Sequence, residues 1–277
     1  MLLLFRKPVG AVAHAVQHIT FHQGYRPQHA REVFVPDGGC EVVIDLSDAP
    51  KQRWHDEHGE RFDIHKRGWV SGMRTSRIII GTGNGAPMLV LRLRAGVLPV
   101  LTGIPANELN DTVVDLELLL GERFTTVRDD LGEALEQRGA QAMLDEAEWR
   151  LAPLFPVCDY GHPRLSIAYA ALHQQGGHGS VRTISAALGC SHKHLNDLFL
   201  RHFGLGPKRF GSVIRFQALL SRLEKEDHPD WTQLALEHGY YDQSHMVNTF
   251  RQMTGLSPTR YMEEKGPHLN WLAVNGR

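Results

Sequence analysis

Apolar and polar positions follow two different periods along this chain. Between residues 30 and 101 the spacing suits strands. Residues 31–36 (REVFVP) run into the turn Asp37-Gly38-Gly39, and residues 40–46 (CEVVIDL) set a β-branched core between polar positions. Residues 77–80 and 88–93 repeat the pattern around the glycine-rich turn 81–85. Residues 47–66 are polar and read as a loop or an irregular hairpin. Near Pro105 the period changes. Leu116, Leu119, Leu120, Phe124, Val127, Leu131 and Leu135 recur at helical spacing, which predicts two or three helices over 106–152. Pro153, Pro156, Gly161 and Pro163 punctuate the chain, and residues 165–264 read as helices with short breaks. The expected fold class is α+β. A small β-barrel or sandwich-like domain with following helices occupies 1–155, with strands to about residue 105. A linker (156–163), an all-α domain (164–265) and a tail (266–277) complete the chain.

The helical part contains a repeat. Phe199, Gly204, Leu205 and Pro207 recur as Phe250, Gly255, Leu256 and Pro258, each 51 residues on. Upstream, Ile184, Ser185, Leu188 and Gly189 face Leu234, Ala235, His238 and Gly239 at an offset of 50. Each copy reads as a short helix, a glycine turn and a second helix, which is a helix-turn-helix. Small Ser185, Ala186 and Ala235 let the paired helices approach, and Gly189 and Gly239 suit turns that need positive φ. In the second helices Leu195, Leu198 and Phe199, then Met246, Thr249 and Phe250, make apolar stripes. The opposite faces carry His192, Lys193 and Asn196, then Gln243, Ser244, Val247 and Asn248. Outward amides, a hydroxyl and a lysine can bond base edges in a major groove, and Val247 can touch a thymine methyl.

Residues 164–262 resemble the DNA-binding domain of AraC/XylS-type transcription regulators. The likeness runs through residues 184–191 (ISAALGCS), His194, Leu195, Phe199, Gly204, Pro207 and Phe210, then Leu219, Leu220 and Leu223 of a connecting helix. It is densest over residues 234–261, in Gly239-Tyr240-Tyr241-Asp242-Gln243-Ser244-His245-Met246, Phe250-Arg251 and Gly255-Leu256-Ser257-Pro258. The resemblance implies two helix-turn-helix units joined by one long helix, reading two successive major grooves of double-stranded DNA. Lys193, Asn196, Gln243, Ser244 and Asn248 are the candidate base contacts. Arg182, Thr183, Lys208, Arg209, Thr232 and Arg251 are the candidate backbone contacts. His194 and His245 share a register and are expected to pack or cap. Two positions depart from the family pattern: Ser185 stands where alanine is usual, and Asp197 where some relatives carry a basic residue. Residues 35–43, 91–96 and 101–111 are similar to a sensor-type domain of unassigned ligand that precedes AraC-type domains. RNA polymerase, a small-molecule effector and a second copy of the chain are the further partners this organisation suggests.

Charge supports the division. Residues 161–277 hold 13 Lys/Arg and 9 Asp/Glu, whereas residues 1–160 hold 17 and 22, so a basic part follows an acidic one. No apolar run reaches the roughly 18–20 residues of a membrane span. The opening residues are apolar first and basic second, the reverse of a secretory signal, so a cytoplasmic protein is expected. Cys40, Cys158 and Cys190 form neither a CxxC pair nor a disulfide framework. Residues 81–85 lack phosphate-loop spacing, and no nucleophile elbow is present; no catalytic residue, cofactor or enzyme activity is expected. Asp37 and Glu41 read as turn and strand-face residues. His14, His18 and His22 share one face of a helix or of a strand, and with residues 55–58 they set the competing reading of a metal-binding enzyme or sensor. A protein-interaction adaptor is the third reading. Tyr25, Trp54 and Trp69 are candidates for an effector pocket or for core. Leu116, Leu119, Leu120, Leu131 and Leu135 suit either a subunit interface or burial against the barrel.

Overall fold

The computed structural model describes residues 1–157, 163–226, 228–266 and 270–274. Most of the expected linker, including Cys158 and Gly161, and parts of the tail lie outside the described residues. The N-terminal half is built from two antiparallel sheets. The first holds β1 (Leu2–Arg6), β2 (Val16–Gln23), β4 (Glu41–Asp45), β7 (Gly68–Ser71), β9 (Met88–Leu93) and β10 (Val113–Asp115), in the order β1-β2-β9-β4-β7-β10. The second holds β3 (Arg31–Phe34), β5 (Lys51–Trp54), β6 (Phe62–His65), β8 (Ile78–Gly81) and β11 (Trp271–Val274), in the order β11-β3-β8-β5-β6.

Alternation along the strands sorts the side chains into layers. Ile19 and Phe21 of β2 and Leu89 and Leu91 of β9 are buried in an apolar layer with Phe124, Val127 and Leu131. The intervening His18, Thr20, His22, Met88 and Val90 face a cavity between the sheets. The helices over that layer are α1 (Val97–Thr102), α2 (Leu116–Leu120) and α3 (Glu122–Leu151), the last interrupted at Gly139, whose φ is 81°. Leu116 and Leu131 are fully buried there, and Leu119, Leu120 and Leu135 pack against the same layer, so these leucines cover the protein's own sheet.

The C-terminal half is helical: α4 (Pro163–Gln174), α5 (Val181–Ala187), α6 (His192–Phe203), α7 (Pro207–Leu223), α8 (Trp231–Glu237), α9 (Gln243–Thr254) and α10 (Pro258–Glu264). Its core joins Leu195, Phe199, Phe210, Phe216, Phe250 and Tyr261, and it extends onto Val33, Val35, Met73 and Ile79 of the N-terminal half. The second sheet therefore shows one face to the cavity, through Phe34, Ile78 and Ile80, and the other to the helices.

Residues 47–66 contain the hairpin β5–β6, one of the two forms the sequence left open. Other elements differ from the sequence expectations. Helix begins at Val97, before the expected change of period, and the strand β10 interrupts the region expected to be helical. β1 is a continuous apolar run with no alternation, and β10 is three residues long; each is fixed by a neighbouring strand rather than by its own pattern. β11, in the expected tail, adds to the edge of β3 with Trp271 opposite Phe34. Gln217 on α7 seals this return, donating from Nε2 to the Pro36 carbonyl (2.6 Å) and to Asn270 Oδ1 (2.8 Å).

Candidate nucleic-acid interface and sensor cavity

Both helix-turn-helix units are shaped by the same local chemistry. Ser180 caps α5 by accepting from Thr183 N, and Ser191 caps α6 by accepting from His194 N. In the second unit Asp230 accepts from Thr232 N and Gln233 N, and Asp242 accepts from His245 N. The turns pass through Gly189 (φ 62°) and Gly239 (φ 65°), the left-handed conformation their sequence positions suggested. α6 and α9 are both 12 residues long and both end at a left-handed glycine, Gly204 and Gly255.

The faces of these two helices divide sharply. Leu195 and Phe199, and Met246 and Phe250, are fully buried. His192, Lys193 and Asp197, and Gln243, Ser244 and Asn248, are exposed at matching registers. Asn196 is half-buried, with its amide oxygen against the position a Gly206 Cβ would take, at the register of half-buried Val247. The exposed counterparts of Gln243 and Asn248 are therefore His192 and Asp197. His192 was not among the site candidates, although the 51-residue offset pairs it with Gln243. Thr232 donates from Oγ1 to Gln243 Oε1 (3.1 Å), which leaves the Gln243 amide hydrogens directed outward as donors. His245 accepts at Nδ1 from Tyr241 N (3.2 Å) and lies edge-on to Tyr240, so it has the capping and packing role expected of it.

Arg182, Thr183, Lys193, Lys208, Arg209, Thr232 and Arg251 are all exposed. Among the described residues no ion pair engages Arg182, Lys193, Lys208, Arg209 or Arg251, whereas Arg222 pairs with Glu226 and Arg260 with Glu264. Exposed cations with no ion pair among the described residues are available to phosphate oxygens.

The N-terminal half grips the ends of both α6 and α9. Asn110 donates from Nδ2 to the Gly204 carbonyl at the end of α6. The Arg77 guanidinium, paired with Glu57 (3.1 Å), occupies the space a Cβ on Gly255 would need at the end of α9. A cation there is favoured by the partial negative charge of a helix C-terminus.

The cavity between the sheets has a volume of about 860 Å³. Tyr25 and Trp69 line it; Trp54 instead lies under the Arg31 guanidinium (3.4 Å) and against Phe62. Asp37 and Glu41 both bind Arg92, at 2.5 and 3.4 Å. His14 sits in the turn before β2, while His18 and His22 face the cavity from the strand. Among the described residues no group of three or more His, Cys, Asp or Glu is placed to hold a metal ion.

Burial holds the His18 and His22 imidazoles below the ordinary histidine pKa of 6.5; Arg92 adds to this at His18 and Lys51 at His22, while Glu41 and Asp37, and Glu32 and Asp45, oppose it. Because the folded pKa lies below the unfolded one, the unfolded chain binds more protons below about pH 6.5. Stability is thus fully present above that pH and is lost as the pH falls. We expect the thermal midpoint to drop between pH 7.5 and 5.5 and the drop to be shallower in His22→Gln. An equal slope in that variant contradicts the assignment.

Comparison with known proteins places these features. Residues 184–264 match the family described as a helix-turn-helix domain, and residues 5–115 match a domain of unknown function (DUF6597). The AraC-type resemblance therefore holds for the C-terminal part, and the likeness to a sensor-type domain of unassigned ligand agrees with the N-terminal match. No curated protein matches the chain. Similar solved structures include an apo point variant of ToxT from Vibrio cholerae strain SCE256, with 13% identity, 88% of this chain and 96% of that chain covered, and a TM-score of 0.45. They also include unsaturated fatty acid bound wild-type ToxT from the same strain, with 11% identity, 94% of each chain covered and a TM-score of 0.45.

Proposed function

We propose that this chain, whose residues 184–264 form an AraC-type helix-turn-helix domain, is a sequence-specific DNA-binding transcription regulator that sets α6 and α9 into two successive major grooves. The observation that carries this reading is the repetition itself: two capped 12-residue helices at one register, each with an apolar buried face and an exposed polar one. Lys193, Gln243, Ser244 and Asn248 are the base-reading set, with Gln243 and Asn248 suited to adenine and Lys193 to guanine, while Asn196, also expected from the sequence to read bases, sits half-buried beside Gly206. Arg182, Thr183, Lys208, Arg209, Thr232 and Arg251 fix the register on the phosphates. Residues 164–265 act as the DNA-binding domain and residues 1–155 as a sensor or dimerisation domain whose cavity takes a small-molecule effector. The protein works in the cytoplasm as a regulator, not as an enzyme; RNA polymerase and a second copy of the chain are further partners. No helix among the described residues is long and apolar enough to cross a membrane.

Selection of binding sites from random duplex DNA tests this. We expect two short boxes whose centres lie about one helical turn, roughly 34 Å, apart on one DNA face. We also expect affinity to fall steeply as salt rises, because several cations displace condensed counterions. Enrichment of no sequence, with binding indifferent to salt, overturns the reading.

A further inference from the structure

We propose that the cavity between the two sheets takes a small organic anion with an apolar body, its charge received by Arg74. Several ionised groups line the cavity. Glu32 accepts from the Tyr25 hydroxyl (2.5 Å) and meets His29 (2.9 Å). Asp37 and Glu41 share the one guanidinium of Arg92. Lys51 pairs with buried Asp45 (3.3 Å) and Arg53 with Asp63 (3.4 Å). Glu224 lies at the rim and is exposed. Arg74 differs from the other lining cations, Lys51 and Arg53. Its Nη1 donates to the neutral Ser71 hydroxyl (3.1 Å), and its Nε is buried without an acceptor. No carboxylate pairs with it among the described residues. A half-buried guanidinium with an unbonded Nε and no carboxylate in contact is the group on this wall best placed to receive an anion.

The rest of the wall selects what carries that anion. Phe34, Val43, Trp69, Ile78, Ile80 and Val90 surround the cavity with apolar surface. Its volume of about 860 Å³ lies within the range of small-molecule sites. His65 offers a further polar atom. Its Nδ1 is bonded to Asp115 (2.6 Å), so in the neutral ring Nε2, which is buried and has no partner, presents a lone pair. In that form the atom takes a donor, while Arg74 offers the fixed positive charge.

Arg74 also stands where occupancy can be read. Asp111 accepts from Thr75 N (2.7 Å), Thr75 Oγ1 (2.8 Å) and Ser76 N (3.2 Å), and its own N–H bonds the Met73 carbonyl (3.0 Å). This lattice joins the Arg74 segment to Asn110 and Arg77, which grip the ends of α6 and α9. An anion drawing on Arg74 acts on the segment that holds both reading helices. This consequence rests on the regulator reading above; ligand binding itself does not.

The test uses the full chain and two fluorescent probes that differ by one sulfonate: 8-anilinonaphthalene-1-sulfonate and N-phenyl-1-naphthylamine. We expect the sulfonate to bind with a stoichiometry of one, Arg74→Gln to weaken it at least 10-fold, and Arg74→Lys to retain most of the affinity. The neutral probe should change less than 2-fold in either variant. Circular dichroism and the thermal midpoint establish that the variants fold. Sulfonate binding that is unchanged in Arg74→Gln, or lost in parallel with the neutral probe in a folded variant, overturns the proposal. The readout involves no DNA, so failure of the site selection above leaves this result standing, and the reverse also holds.

Discussion

Replacing Gln243 and Asn248 together by alanine should erase sequence preference in one of the two DNA boxes and leave the other intact. Both side chains are exposed on α9, and neither carries charge. Thr232 holds the Gln243 carbonyl oxygen, which orients the amide before DNA arrives and lowers the entropy lost on binding. A well-placed side chain–base pair contributes about 1–3 kcal/mol of discrimination, so the double variant should bind the selected duplex on the order of 10²-fold more weakly. Affinity for unrelated DNA should hardly move, because Arg182, Lys208, Arg209 and Arg251 remain. Exposed polar truncations of this kind cost within about 0.5 kcal/mol of stability, so the thermal midpoint serves as the control. Site selection beside the unaltered chain gives the measurement. If both boxes lose preference together, or neither does, the assignment of one box to the second unit is wrong.

A large loss of stability is expected from a single methyl group at Gly177. This buried glycine has φ 77°, and a Cβ on it would overlap the Gly211 carbonyl oxygen of α7 and lie 3.0 Å from the Arg215 backbone nitrogen. Gly189 provides the comparison: its φ is 62°, and nothing lies within 4 Å of the place a Cβ would occupy. Alanine at Gly189 pays only the left-handed strain, about 1 kcal/mol. Alanine at Gly177 adds an overlap with backbone that cannot swing away, for a total of about 3 kcal/mol. The difference of about 2 kcal/mol corresponds to roughly 4–8 °C between the two thermal midpoints. Equal midpoints would show that α4 and α7 can part without cost. The joint matters for function as well. Next to Gly177, His178 packs on Gly239, and Arg215 of α7 donates to the Gly239 carbonyl (3.2 Å). This cluster links the chain just ahead of the first unit to the turn of the second, so Gly177→Ala should also blur the fixed spacing between selected boxes.

The helix-turn-helix units were legible because their determinants are local. Caps at Ser191 and Asp242, turns at Gly189 and Gly239 and apolar stripes at helical spacing each act within a few residues. The repeat then displayed each determinant twice. Asn196 shows the limit of that reading. Its residue type suggested an outward amide, and its register, shared with Val247, sets it half-buried beside Gly206. The cavity histidines were legible as a shared face, but not as strand rather than helix, because spacing by four fits both. The strands β1 and β10 carried little signal of their own, since pairing with neighbours orders them.

The sequence by itself determined the elements whose stability is local, the two helix-turn-helix units and the buried apolar stripe of each. Tertiary structure alone decided three things: that β11 returns to the edge of β3, that Arg74 faces the cavity with no carboxylate against it among the described residues, and that Asn110 and Arg77 close on Gly204 and Gly255. Each joins residues far apart in the chain. Such contacts depend on which surfaces the packed halves bring together, and no periodicity along one segment encodes a partner in another.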